Sequence, residues 1–309
     1  MMKNLSILFR AIVLFSLVTF VSACSNDDDN DEPQTLTELA AATPELSTLV
    51  DALTRTGLDA TLNGAGPFTV FAPTNQAFQD LGVNLDDLTD AELTDILLYH
   101  VFVGQALAST AIAEGQTYLQ TASESGPGNE RVSALVERAG SAVTINGDIN
   151  VTSADNVGTN GVVHIISKVM QPLDVVGHAI ANSEFTSLVG ALGDASGDLV
   201  NTLQTTGPFT VFAPVNSAFT EIEDVVMTLS ADALRDILLY HVANGNVVSG
   251  DLSNNFTVTT LSNDQTFTIN ISGNDVTITD GEGNTASIVL TDVQATNGVI
   301  HVLNKVILP

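Results

Sequence analysis

The chain has 309 residues, enough for about two domains, and its 44% hydrophobic content can furnish two cores. Eight Lys and Arg stand against 36 Asp and Glu, a net charge of −28, which argues against nucleic acid and against direct attraction to anionic lipid headgroups. Aromatic residues are 5% of the chain and Trp is absent, which argues against a surface that stacks sugars or bases.

Lys3 and Arg10 precede Ala11–Val21, a run that is apolar apart from Ser16 and Thr19. It is shorter than the roughly 20 residues a spanning helix needs, so residues 1–23 read as a signal peptide. Val21-Ser22-Ala23-Cys24-Ser25 follows and holds the single cysteine, which has no internal disulfide partner. Small residues before Cys24 and a polar run after it resemble a bacterial lipoprotein processing site. The resemblance implies that Cys24 becomes the lipidated N-terminus, leaving six basic residues against 36 acidic ones. Residues 24–34 form an acidic tether through Asp27-Asp28-Asp29-Asn30-Asp31-Glu32, kept extended by like-charge repulsion. An acidic run directly after such a cysteine also resembles the export signal of surface lipoproteins in the Bacteroidetes group. That implies an outer-membrane lipoprotein exposed at the cell surface, with a plain spacer as the alternative.

Helical signals open the next stretch. Thr35 with Glu38 makes a capping box, and Thr43-Pro44 reads as an N-cap followed by proline at the first helical position. Leu46, Leu49, Val50 and Leu53 then share one helix face. Gly66-Pro67 opens a turn, and Phe68-Thr69-Val70-Phe71 reads as a strand buried on both faces. Ala72-Pro73 ends it, and Thr74 or Asn75 caps a short helix carrying Ala77, Phe78 and Leu81. Thr89 to Glu92 is a second capping box, starting a helix through Leu93, Ile96 and Leu97 to Tyr99-His100.

The chain then repeats itself. Gly66–Phe78 returns as Gly207–Phe219, and Asp95–Val101 returns unchanged as Asp236–Val242, both at an offset of 141; Thr159–His164 returns as Thr296–His301 at 137. A period near 140 is far above the roughly 20–50 residues of solenoid repeats, so each copy is a domain. The segment TVFAPTNQAF, the Leu-Leu-Tyr-His-Val helix end and the Asn-Gly-Val-(Val/Ile)-His block resemble the fasciclin domain, in both copies. Fasciclin-like domain 1 is placed at 35–172 and domain 2 at 173–309, joined at Pro172-Leu173-Asp174.

The second half of each copy is mostly strand. In copy two these are Phe256–Thr260, Phe267–Ser272, Asp275–Asp280, Ala286–Val293 and Val299–Ile307, with Gly273-Asn274 a hairpin turn. In copy one, Ser123–Asn129 interrupts this half with a Gly/Pro/Ser loop, and the differing offsets place the copies' length difference in the same region. Helices first and strands second give an α+β fold. The resemblance sharpens it to two tandem domains, each a β-wedge of about seven strands with helices packed against it.

Chemistry is sparse. His100 and His241, and His164 and His301, occupy equivalent places in the copies and so serve the fold; His178, without a counterpart, reads as exposed. No zinc motif, full EF-hand loop, nucleophile elbow, P-loop or dinucleotide fingerprint occurs. Asp280-Gly281-Glu282-Gly283-Asn284 reads as a turn of solvated acids rather than a calcium loop. No catalytic, cofactor or metal residue is therefore assigned, and the chain is expected not to be an enzyme. In animal adhesion proteins of this family the helix-end block is linked to receptor binding. That makes Tyr99, His100, Tyr240 and His241 candidate partner-binding residues, although the apolar neighbours Ile96, Leu97, Leu98 and Val101 make them half-buried.

The expected function is a non-catalytic adhesion or matrix-interaction module. Its partner would be a cell-surface or matrix protein or polysaccharide, and membrane contact would run through the lipid at Cys24 alone. The alternative is a carrier of an apolar ligand such as a carotenoid, held between helix and sheet as in some proteins of similar fold, with Ile96, Leu97, Tyr99 and Val101 lining the groove.

Overall fold

Apolar residues on both faces of one strand set up the architecture. In Phe68–Pro73 (β1) every residue is buried. Phe68, Val70 and Ala72 enter one core with Leu36, Leu46, Leu49, Leu53 and Leu97, and Phe71 enters another with Tyr99, Phe102, Val136, Ile145 and Ile166. The strand thus lies between two cores, and each fully buried Leu or Phe side chain contributes about 1.5–3 kcal/mol. The computed structural model describes residues 33–309; the signal-peptide segment, Cys24 and most of the tether lie outside the described residues.

Strands β2 (Val101–Val103), β3 (Gly115–Gln120), β4 (Ser133–Ala139), β5 (Ala142–Ile145), β6 (Ile149–Gly158) and β7 (Gly161–Ile166) complete the first sheet. Its order is β2-β1-β7-β6-β5-β4-β3. The second sheet uses β8 (Phe209–Pro214), β9 (Val242–Asn244), β10 (Phe256–Thr259), β11 (Thr266–Ser272), β12 (Asp275–Thr279), β13 (Thr285–Ala295) and β14 (Gly298–Leu303) in the equivalent order. Only β1 with β7 and β8 with β14 run parallel. Each sheet curls until its edges nearly meet. Ala122 N–H reaches the Val101 carbonyl at 2.7 Å, and Leu261 N–H reaches Val242 at 2.8 Å. This is the expected seven-stranded α+β fold, twice.

The capping boxes at Thr35/Glu38 and Thr89/Glu92 form, and the second starts the helix Asp90–Tyr99. Thr74 caps Asn75–Asp80, whereas Val215 leaves the equivalent helix of the second domain without a side-chain cap. Two local expectations differ. Thr43 does not cap; its hydroxyl turns back to the Leu39 carbonyl, and Pro44–Leu46 is a 3-10 turn. The last strand ends at Leu303, not Ile307, because the chain leaves the sheet and Ile307 N–H is taken up by the His241 imidazole.

The Asn-Gly pair near each domain's end has two jobs. Thr159-Asn160 turns β6 into β7, and the Asn160 side chain accepts from Leu36 N–H and donates to the Leu62 and Gly64 carbonyls. Gly161 is required by contact: a Cβ there would lie 2.1 Å from the Phe68 carbonyl oxygen of β1. Asn297 and Gly298 repeat both arrangements.

Candidate functional site at the paired Tyr-His blocks and the domain junction

The last turn of Asp90–Tyr99 delivers Tyr99 and His100 inward. Tyr99 Oη donates to the Ser133 carbonyl at 2.9 Å and accepts from Asn146 Nδ2 at 3.1 Å. His100 Nε2 accepts from Met170 N–H at 2.8 Å, so the ring proton sits on Nδ1, which donates to the Ile96 carbonyl at 2.7 Å. Tyr240 and His241 repeat this with Thr266, Ile307 and Ile237. All four side chains are buried, which corrects the half-buried expectation. The flanking Leu97 and Leu238 enter the helix-side cores, so each block closes the gap between helix and sheet. Burial in apolar surroundings pushes His100 and His241 down to about 4.

His164 and His301 are satisfied in the opposite tautomer. Each accepts at Nδ1 from a bulge residue, Asp155 or Asp292, and donates from Nε2 to the Leu107 or Val247 carbonyl. The bulges put Asp155 and Asp292 at positive φ and aim their carboxylates at the backbone N–H and hydroxyl of Ser109 and Ser249. The repeated polar residues thus close backbone hydrogen bonds. Asp280 does the same, accepting from the N–H groups of Glu282, Asn284 and Leu308, so it is not a solvated acid. Among the described residues no group of three or more His, Cys, Asp or Glu side chains could hold a metal ion.

His178 departs from its expected exposure. It is completely buried, with its ring edge-on to Tyr118 of the first domain at 5.7 Å. Neither ring nitrogen makes a hydrogen bond, and burial, opposed in part by the nearby Gln294 backbone, pushes the imidazole down to about 4. The spacing carried the signal: Val175, His178, Ala179 and Asn182 fall on one helical face, and all four are buried.

The two domains meet around that imidazole. Tyr118 Oη accepts from Asn182 Nδ2 at 3.0 Å, Gln116 donates to Ser183 Oγ at 3.0 Å, and Gly147 packs where a Cβ would stand 2.5 Å from the Ala181 carbonyl oxygen. Gln294 N–H donates to Ser133 Oγ at 3.1 Å. The Gly/Pro/Ser loop belongs to this junction. It is six residues longer than its counterpart, Ser123 to Val132 against Ser262 to Gln265, and its Gly126 lies against the Gln294 side chain. The position equivalent to Gln294 in the first domain is Val157, which is 70% exposed.

Space for an apolar ligand between helices and sheet is small. The cavity there is about 30 Å³ in the second domain and about 10 Å³ in the first. Of the expected groove lining, Leu97, Tyr99 and Val101 are buried in the cores and Ile96 packs half-buried against one of them. Among the described residues no helix is long and apolar enough to cross a membrane.

The sequence profile of the Fasciclin domain matches residues 44–172 and 183–309. The chain is 31% identical over 287 residues to transforming growth factor-beta-induced protein ig-h3 of Sus scrofa, covering 90% of this chain and 38% of that protein. It is 26% identical to human periostin over 286 residues, covering 90% of this chain and 32% of that protein. Protein sll1483 of Synechocystis sp. is 36% identical over 144 residues, 44% of this chain and 74% of that protein. The chain therefore spans well under half the length of ig-h3 or periostin. In fold it is similar to the solved FAS1 domain pair of the insect cell adhesion molecule fasciclin I, with a TM-score of 0.53 and 21% identity over 86% of this chain and 97% of that one.

Proposed function

The chain belongs to the fasciclin-domain family, and from that premise we propose that it is a non-catalytic adhesion module, held at the bacterial outer surface by a lipid on Cys24 and a short acidic tether. The observation that carries this reading is the tandem pair itself, docked through Ser133, Gln294, Tyr118 and His178. Its repeated polar residues are engaged in holding the backbone, which supports a module that acts through its surface. The relatives include an insect cell adhesion molecule. A pair on one anchor presents two surfaces at once and gains avidity without new contacts. The partner is a cell-surface or matrix protein or polysaccharide, and the acidic surface favours a basic one.

Tyr99, His100, Tyr240 and His241 serve partner binding, on this reading, by fixing the segments above them rather than by touch, since their side chains are buried. An apolar cargo between helix and sheet would require those layers to part, as a ligand site occupies about 300–1,000 Å³.

The test is adhesion of cells displaying the whole chain to immobilised matrix proteins and polysaccharides, beside cells carrying Cys24→Ser. Saturable adhesion that follows surface display, lost with Cys24→Ser as the protein leaves the membrane fraction, is the expected result. Equal adhesion with and without the chain overturns it.

A further inference from the structure

The two domains fill the same core position from opposite strands. In the first, Phe102 of β2 packs edge-on to Phe71, with centroids 5.3 Å apart. Its counterpart on β9 is Ala243: the two occupy the same register position, opposite Thr69 and Thr210. The ring edge-on to Phe212 comes instead from Phe267 of β11, at 4.9 Å. Ala134 stands at that place in the first domain, the equivalence being fixed by Tyr99 Oη to Ser133 and Tyr240 Oη to Thr266. The exchange keeps a ring on Phe212 but leaves space at Ala243, at the seam where β9 meets the end of β10 through the Ala243–Thr260 bridge and the Leu261 N–H bond to Val242.

A groove of about 450 Å³ opens there, lined by Phe212, Ala243, Leu252, Phe256, Val258 and Leu261. Phe256 stands at its mouth, 36% exposed. The rim is polar, with Asn244, Asn263 and Asp264, and Asp264 is the sole charged residue in the lining. Of the two basic residues beyond position 173, Arg235 is paired with Asp232 and Asp236, and Lys305 does not line the groove. The volume and the mixture of apolar walls with a few polar rim groups are those of a ligand site. An apolar slot between two edge strands suits one bulky side chain on an extended segment. Asp264 on that rim, in a chain of net charge −28, favours a segment that carries positive charge.

We propose that this seam in the second domain is the docking site for a large apolar side chain on a basic, extended peptide segment of the partner. The proposal deepens the adhesive reading and rests on it for the existence of a partner, but its test does not depend on cells.

The measurement is methyl NMR of the whole chain titrated with three capped peptides, Lys-Thr-Phe-Thr-Lys, Glu-Thr-Phe-Thr-Glu and Lys-Thr-Ala-Thr-Lys. The first should shift the methyl signals of Ala243, Leu252, Val258 and Leu261 saturably, and the other two should bind at least tenfold more weakly. Ala243→Leu, which fills the slot, and Phe256→Ala, which removes an exposed wall, should each weaken the first peptide about tenfold or more while the remaining spectrum stays that of the folded protein. Shifts that map elsewhere, no saturable shift, equal binding of the acidic peptide, or undiminished binding by both folded variants overturns the proposal. Cells that adhere although the peptides fail to bind sink the seam alone, whereas peptide binding without adhesion sinks the adhesive reading alone.

Discussion

The Gln294 backbone N–H of the second domain donates to the Ser133 hydroxyl of the first at 3.1 Å, and the Ser133 carbonyl accepts from Tyr99 Oη at 2.9 Å. One buried serine therefore ties the helix-end block of the first domain to a strand of the second. Ser133→Ala leaves the Gln294 N–H buried without a partner, at a cost of about 1–3 kcal/mol. The cost falls on the junction, so denaturant unfolding should broaden or split into two steps, with the second domain lost first. A single transition at the original midpoint would show that the bond does not couple the domains.

Acid should act through the buried imidazoles. His100, His178 and His241 sit at about 4 in the fold against 6.5 for a free imidazole. The unfolded chain binds these protons more tightly, so stability is complete above about pH 6.5 and declines as pH falls from there to about 4. Each imidazole withdraws up to roughly 3 kcal/mol at the acid end of that window. Circular dichroism across pH 8 to 4 checks this.

The individual histidines separate by variant. His178→Leu keeps an apolar body against Tyr118 and removes two unpartnered nitrogens, so it should move the acid transition to lower pH without loss at pH 8. His100→Leu strands the Met170 N–H and the Ile96 carbonyl and should cost about 1–3 kcal/mol at pH 8, a deficit that shrinks toward pH 4 because the acid penalty of the imidazole goes with it. The reverse pattern would place the acid-sensitive group elsewhere.

Gly161→Ala sets a Cβ 2.1 Å from a β1 carbonyl and cannot be accommodated without parting β1 from β7. A loss of about 4 kcal/mol or more is expected, enough to unfold a marginal domain. Gly82→Ala is the control: it has positive φ but open space around it, and should cost only about 1 kcal/mol. Expression level and urea midpoints compare the two.

Tyr99→Phe keeps the ring and removes the hydroxyl, leaving the Ser133 carbonyl and Asn146 amide each short of one bond. It should lower stability by about 1–2 kcal/mol. Adhesion measured well below the melting temperature should be unchanged, because the residue is buried. A large drop in adhesion by a fully folded variant would make Tyr99 a contact residue.

What the sequence revealed was local or repeated. The capping boxes at Thr35 and Thr89, the Gly273-Asn274 hairpin and the doubly apolar Phe68–Phe71 strand could each be read from a few neighbouring residues. The burial of His178 was legible only as a helical face shared with Val175, Ala179 and Asn182; its aromatic neighbour Tyr118 lies sixty residues away in the other domain, and nothing local points to it. The Ser123–Asn129 loop was recognisable as an insertion, but nothing local marks that its Gly126 lies against Gln294. The exchange of Phe102 for Phe267 was hidden for a similar reason: Phe267 on β11 reaches Phe212 on β8, which is not its neighbour in the sheet, only because the second sheet curls.

The long loop has a further consequence. The surfaces joined at the junction are unlike, and such a head-to-tail contact polymerises without limit when every unit carries both faces. Here the faces are not duplicated. The second domain has the shorter loop between Ser262 and Gln265, and the first has Val157 where the second has Gln294. The long loop and the Gln294 against which it lies are therefore each present in one domain only, so a further copy added at either end would meet a face that lacks its half of this contact.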